Sequence, residues 1–404
     1  MANSSFARLI LLISATQLTL AACSTPARLP AVPATVSTQA DPELSRVRFL
    51  VSRETDSFKA EAQSSIAKEQ QWLASQGRAG DLPPVYFLAV SGGGDNGAYG
   101  AGLLNGWTAS GTRPEFKFVT GVSTGALIAP FAFLGPKYDY VLERVYTTTS
   151  QKDIFKKRSL IKGLFGDGMA DTRPLASVIS SYVTPALLQE IAAEYAKGRI
   201  LLVGTTNLDS LEPVIWNMTA IAASNDPNAM QLFQNILLAS ASIPGAFPPV
   251  MLNVNLDGTQ YQEMHVDGGT VAQLFLYPPS ISVANAPQRK RVAYIIRNAR
   301  LDADWASTER RTMNIAMRAI DSLTRTQGIG DLYRVYTTTQ RDGVDFNLAF
   351  IPPTFTVPHN EMFDTAYMKA LYNVGLNDAK GGYRWQKYPP GFDVPLGQGT
   401  TVGK

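Results

Sequence analysis

This 404-residue chain predicts an α/β fold with a mostly parallel central sheet and helices on both faces. Three observations carry that expectation. Apolar runs of strand type alternate with stretches of helical pattern, and repeated β–α units build a parallel sheet covered on both sides. The runs are apolar almost throughout, as at Leu88-Ala89-Val90, which suits strands buried on both faces. Glycine-rich turns close two of the runs and lead directly into helical stretches.

The composition, 45% hydrophobic and 17% charged, fits one large α/β domain with additions, or two domains. A formal net charge of +3 is too small to imply a nucleic-acid partner, and Arg289-Lys290-Arg291 and Arg310-Arg311 read as solvated surface. No internal repeat is visible.

Residues 1–22 read as a secretory signal peptide. Arg8 is the only charge there, and the apolar stretch 9–20 falls short of the roughly 20 residues a membrane-spanning helix needs. The stretch ends Leu20-Ala21-Ala22-Cys23-Ser24, which resembles the lipobox of bacterial lipoprotein precursors. The resemblance implies cleavage before Cys23 and lipidation of its sulfur and new amino group. Cys23 is the sole cysteine, so it has no internal disulfide partner. The alternative is an ordinary signal with an incidental cysteine. Several acyl chains anchor stably where one does not, so attachment to a membrane through the lipidated N-terminus is expected. Ser24, rather than Asp, resembles the pattern sorted to the outer membrane of double-membraned bacteria.

Residues 23–45, with four prolines between 26 and 42, read as the lipidated cysteine and a flexible tether. Residues 46–84 read as a helical extension, with a helix over 56–76 ended by Gly77 and Gly80. The core is expected over 85–282, and 283–404 completes the same domain. Strands are expected at 85–91, 116–121, 199–204, 214–218, 251–256, 259–266, 292–296 and 346–352. Helices are expected at 98–107, 124–134, 138–146, 173–195, 308–326 and 361–379. Another is expected up to 240, capped by Asp226 with Pro227 as its first residue. Glycines weaken the 98–107 helix by roughly 1 kcal/mol each, but permit close packing on the sheet. The basic connection 152–171 reads either as a lid whose Leu160, Ile161, Leu164, Phe165 and Met169 meet lipid, or as a cap packed on the core.

Three motifs carry chemistry. Gly121-Val-Ser123-Thr-Gly125, between a strand and a helix, has the spacing of a nucleophile elbow. The helix behind it aims its positive end at Ser123. Ser91-Gly92-Gly93-Gly94-Asp95-Asn96-Gly97 follows the first core strand. Successive glycines there can turn N–H groups toward an oxyanion. The Gly92-x-Gly94-x-x-Gly97 spacing also fits a dinucleotide turn, but no acidic residue closes a second strand about twenty residues on. Asp267-Gly268-Gly269 ends the second strand of a hairpin turned by Asp257-Gly258.

In that order, the three motifs resemble the patatin-like phospholipases. Gly204-Thr-Thr-Asn-Leu-Asp209 and 239–249 add to the similarity. The resemblance covers roughly residues 86–279 and implies a three-layer fold with a Ser–Asp dyad. By the match, Ser123 is the nucleophile, Asp267 the general base, and Gly92, Gly93 and Gly94 the oxyanion hole. The match also implies a phospholipid or other lipid ester as substrate. Asn96 stands where many members carry Arg or Lys.

A Ser-His-Asp triad would need His265 or His359, the only histidines. His265 shares a strand face with Asp267 but precedes it, against the order of α/β-hydrolases. His359 would suit that order from a Pro-His-Asn turn. Ser240 and Ser242 read as structural or substrate-lining. No cofactor and no metal are expected, since His and Cys are few and no calcium loop appears. The rival readings are a lipid-binding or envelope-interaction lipoprotein with little turnover, and, last, a nucleotide-binding module.

Overall fold

The computed structural model describes residues 26–392 except 43, 45, 52–54, 160–165, 285, 304 and 306. The signal segment, Cys23, Ser24, Leu160, Ile161, Leu164 and Phe165 lie outside the described residues. The strands are β1 (Asp41–Pro42), β2 (Arg48–Leu50), β3 (Val85–Val90), β4 (Phe118–Val122), β5 (Lys156–Lys157), β6 (Ala170–Asp171), β7 (Ile200–Asn207), β8 (Glu212–Asn217), β9 (Val250–Leu256), β10 (Thr259–Asp267), β11 (Arg291–Arg297) and β12 (Asp345–Phe350). The helices are α1 (Thr55–Ser75), α2 (Gly97–Ala109), α3 (Thr124–Leu134), α4 (Asp139–Thr148), α5 (Gln151–Ile154), α6 (Arg173–Tyr182), α7 (Pro185–Ala196), α8 (Met218–Ala222), α9 (Ala229–Ser240), α10 (Thr312–Arg341) and α11 (Thr365–Lys380).

The parallel sheet forms as five contiguous strands in the order β7-β4-β3-β11-β12. Antiparallel strands extend it: β8 and then β2 beside β7, and the β9–β10 hairpin. The turn of that hairpin holds Asp257 at φ +50° and Gly258 at +83°, the left-handed pair that an Asp-Gly turn selects.

Strand β7 places the site. Along one edge it pairs with β8. Along the other it pairs first with β4, up to Val122 opposite Gly204, and then with β10, starting at Asp267 opposite Thr205. Two strands from distant parts of the chain thus meet end to end on one edge. The residue after Val122 is Ser123.

Alternate side chains of the buried strands enter two cores, as a period of two requires. Leu88 and Val90 face α2, α3, α4, α6, α9 and α11. Phe87 and Ala89 face Phe58 of α1 and Leu332 and Tyr336 of α10. The layers are helix, sheet and helix.

Several expectations are corrected. Of the α2 glycines, Gly100 packs on the sheet as expected, where a Cβ would lie 3.1 Å from Ile296 of β11, but Gly102 and Gly106 serve packing on α11. A Cβ on Gly102 would stand 1.9 Å from the Tyr372 carbonyl oxygen, and one on Gly106 2.2 Å from that of Leu376. The helix expected over 173–195 breaks at Val183 and Thr184, where Pro185 restarts it and Thr184 caps it. Helix α9 begins at Ala229, and the Asp226 carboxylate instead accepts from the Asn228 N–H in a tight turn (2.8 Å). Strand β8 begins at Glu212 rather than 214, directly after Leu211 at φ +57°.

Helix α10 starts later and runs far longer than 308–326, and it leaves Ile315 and Ile320 about half exposed. The proline-rich segment from residue 28 is laid onto the body rather than free. Arg28 pairs with Asp209 at 2.8 Å, Gln262 N–H donates to the Pro30 carbonyl, and β1 joins the edge of β9. A proline is tolerated on such an edge because no partner needs its missing N–H. Arg289 and Arg291 are not solvated. Arg289 pairs with buried Glu69 at 2.9 Å, and Arg291 donates to the Ala286 and Pro287 carbonyls.

Candidate active site

Ser123 joins β4 to α3 at φ +55°, ψ −127°, a conformation that costs a side-chain-bearing residue on the order of 1–3 kcal/mol. The surroundings enforce it. The Ser123 N–H donates to the Ser240 hydroxyl at 2.9 Å, and that hydroxyl donates to the Gly204 carbonyl at 2.7 Å. Strand and helix pass so close that a Cβ on Gly121 would lie 2.4 Å from the Gly125 carbonyl oxygen, and one on Gly125 2.2 Å from that of Val90.

Asp267 ends β10 and is buried. Its N–H donates to the Ser242 carbonyl (2.9 Å), and its own carbonyl accepts from the Thr206 hydroxyl (3.1 Å). Its Oδ1 accepts from the Gly269 N–H at 2.7 Å, and the nearby Ser123 hydroxyl favours the ionised carboxyl. Burial is the dominant influence and pushes this carboxyl up to about 7, against the two donors, which favour the ionised form. A base with that affinity is matched to neutral pH.

The glycine turn follows β3. Gly93 lies at φ +154° and Gly94 at φ +58°. A Cβ on Gly93 would lie 2.2 Å from the Asn298 carbonyl oxygen. Of the three expected oxyanion donors, Gly92 is otherwise engaged: its N–H donates to the Gln273 carbonyl at 2.9 Å. Among the described residues no acceptor takes the Gly93 or Gly94 N–H.

Two residues that sequence reasoning missed brace this turn. Asn298, just past β11, donates from its side chain to the Ser91 carbonyl, accepts from the Gly100 N–H on its side-chain oxygen, and donates its own N–H to the Ser91 hydroxyl oxygen. Gln273 donates from its side chain to the Gly269 carbonyl, so it links the glycine turn to the Asp267 turn. Neither residue belongs to a motif.

Beside Ser123 lies a small cavity walled by Leu127, Ile154, Leu175, Ile243, Phe247 and Phe363. Leu127, Ile154, Leu175 and Phe363 also line a second apolar cavity that continues past Phe131, Leu142, Ile179 and Tyr182. The described part of 152–171 packs as a cap: Ile154, Phe155 and Ala170 are buried, and Phe155 contacts Phe247.

Neither histidine hydrogen-bonds to the Ser123–Asp267 pair. His265 is fully buried, with Nε2 on Glu263 (3.1 Å) and Nδ1 on the Thr205 hydroxyl (2.9 Å). Burial pushes its pKa down, while Glu263 opposes that shift. Glu263 is held in turn by buried Arg48. His359 pairs with Asp95 at 2.7 Å. Among the described residues no cluster of three or more His, Cys, Asp or Glu converges as a metal site.

A family model described as Patatin-like phospholipase matches residues 88–278. Among solved structures, the chain is similar to VipD from Legionella pneumophila, at 14% identity and a TM-score of 0.30, over 73% of this chain and 67% of that one. It is also similar to human GIVD cytosolic phospholipase A2, at 12% identity and a TM-score of 0.35, over 73% of this chain and 54% of that one, so it spans about half of that protein. No curated protein matches the chain.

Proposed function

We propose that residues 88–278, which match the patatin-like phospholipase family model, form a domain of that family, and that the protein is a serine lipid acyl hydrolase with a Ser123–Asp267 dyad. Its substrate is the carboxylic ester of a phospholipid or another lipid. The Ser123 oxygen bonds to the ester carbonyl carbon while its proton passes to Asp267. The carbonyl oxygen becomes an oxyanion facing the Gly93 and Gly94 N–H groups. The intermediate collapses, the carbon–oxygen bond to the alcohol breaks, and the alcohol leaves with the proton from Asp267. Water then attacks the acyl-serine with the same base and frees Ser123. The acyl chain lies in the apolar cavities that begin at Leu127 and Phe363.

One observation supports this reading most. A serine in a strained elbow lies beside a buried carboxyl held near neutrality, at the mouth of an apolar cavity. The test is Ser123→Ala, read by lipid-panel hydrolysis, fluorophosphonate labelling and thermal melting. Hydrolysis is expected to fall by at least about a thousandfold, with labelling lost and the melt unchanged. Wild-type turnover in Ser123→Ala would overturn the reading, and a wild-type protein that neither labels nor hydrolyses would favour a lipid-binding lipoprotein. The proposal extends to an N-terminal lipid anchor on Cys23, with the mature protein held at the bacterial outer membrane.

A further inference from the structure

The glycine turn is gripped by a segment of which the dyad reading uses only Phe363. Asp95 follows Gly94 and is largely buried. Its Oδ2 accepts two hydrogen bonds, from His359 Nε2 and from the Phe363 N–H, each 2.7 Å. Both donors belong to 351–364, the connection between β12 and α11, which has no regular secondary structure. The next turn residue, Asn96, accepts from the Tyr367 hydroxyl at 2.7 Å, and the Tyr367 ring lies 4.4 Å from that of His359. Two consecutive turn residues are therefore held by one stretch of chain. Phe363 sits at φ +58° and walls both the cavity at Ser123 and the second one.

We propose that His359 is a positioning residue for ester hydrolysis: through Asp95 it fixes the Gly93 and Gly94 amides on one side and the Phe363 wall of the acyl cavity on the other. This rests on the dyad reading. Glycine has the widest backbone freedom of any residue, so two glycines in sequence do not hold their own N–H directions. A clamp on the residue immediately after them does. A carboxylate that receives an imidazolium and a main-chain N–H on one oxygen is a strong clamp, because the bond to a charged donor is short and directional.

The charged and titratable groups that face the imidazole are Asp95 from the turn, and Asp364 and Tyr367 at the start of α11, with the Glu361 main chain beside it. The bond to Asp95 is the largest influence and raises the pKa of His359 against partial burial. A raised pKa in the folded state means the latch is complete at low pH and is lost as pH rises through that value. The Asp267 base works in the opposite sense and gains activity as it ionises.

The experiment measures kcat and KM between pH 5 and 10 on a short soluble ester and on a long-chain lipid ester. It compares wild type, His359→Gln and Ser123→Ala, with thermal melts alongside. The wild type is expected to show a rising limb and then a falling limb in kcat. His359→Gln is expected to keep the rising limb and lose the falling one. Its kcat on the short ester should drop roughly tenfold, less than the loss of a whole oxyanion donor, and its KM for the long ester should rise. Two results would overturn the latch: a wild-type profile with no falling limb, or a folded His359→Gln that keeps that limb, whether or not kcat falls uniformly. The wild-type profile decides the matter even where the variant does not fold. An active Ser123→Ala sinks the dyad reading itself, whereas an inactive Ser123→Ala beside an unaffected His359→Gln sinks the latch alone.

Discussion

At Asp267, stability and chemistry pull in opposite directions. Burial holds the carboxyl near 7 rather than 3.8, so the folded chain keeps a proton that the unfolded chain has released. Folding stability therefore falls as pH rises from about 4 to about 7, by an upper bound of about 4 kcal/mol at 1.36 kcal/mol per unit. Asp267→Asn removes that dependence. Its Tm relative to wild type should become more favourable between pH 5 and pH 8 in calorimetry, while its turnover is nearly abolished and the rising limb near pH 7 disappears. A Tm difference that is flat with pH would show that Asp267 does not titrate in that range. Ser123, Asp267 and the glycine pair were legible in the sequence because each sits in a motif whose meaning is local. Ser240 was legible only as structural or substrate-lining, and Asn298 not at all. Their contacts, to Ser123 and Ser91, span 117 and 207 residues, and no local pattern encodes them. The same distance hid the Gln273 carbonyl that occupies Gly92.

Among the elements, the α2–α11 pair shows what a run of small residues achieves. Gly102 and Gly106 let two backbones touch, and Gly375 answers from the other helix, where a Cβ would meet the Tyr99 carbonyl oxygen at 2.3 Å. Gly102→Ala forces the helices apart and is expected to destabilise by about 1–3 kcal/mol, read as a lower urea midpoint with an unchanged m-value. A neutral result would mean the helices yield without strain. The sequence marked α2 as a close-packing helix, but not its partner, because glycine spacing states proximity and not identity. Helix α10 was misjudged for a related reason. Its second half carries Gly328, Gly330 and Thr337-Thr338-Thr339, all weak helix formers. Burial of Leu332, Val335 and Tyr336 against the sheet outweighs that weakness. Helix α9 starts late because the Asp226 carboxylate serves the Asn228 N–H before any helix begins.

Over the whole molecule, the mostly parallel sheet follows from alternating β–α units, and apolar runs and glycine turns announced it in the sequence, but not the order of its strands. The placement of the proline-rich leader was not announced, because an extended segment earns its order only from a neighbour such as Asp209 or β9. Among the described residues no helix is long and apolar enough to cross a membrane, and the proposed anchor is the lipid on Cys23. Cys23→Ser should then move the protein from the membrane fraction to the soluble fraction, with hydrolysis of a soluble ester retained. Continued membrane association would remove the anchor from the account. The meeting of β4 and β10 along one edge of β7 has a last consequence, for biosynthesis. On the dyad reading proposed above, the elbow exists without its proton acceptor until the distant hairpin has zipped into place. A nascent or half-assembled chain would for that reason be chemically silent, and the cell making it spared a lipid-cutting intermediate while the polypeptide is still being completed.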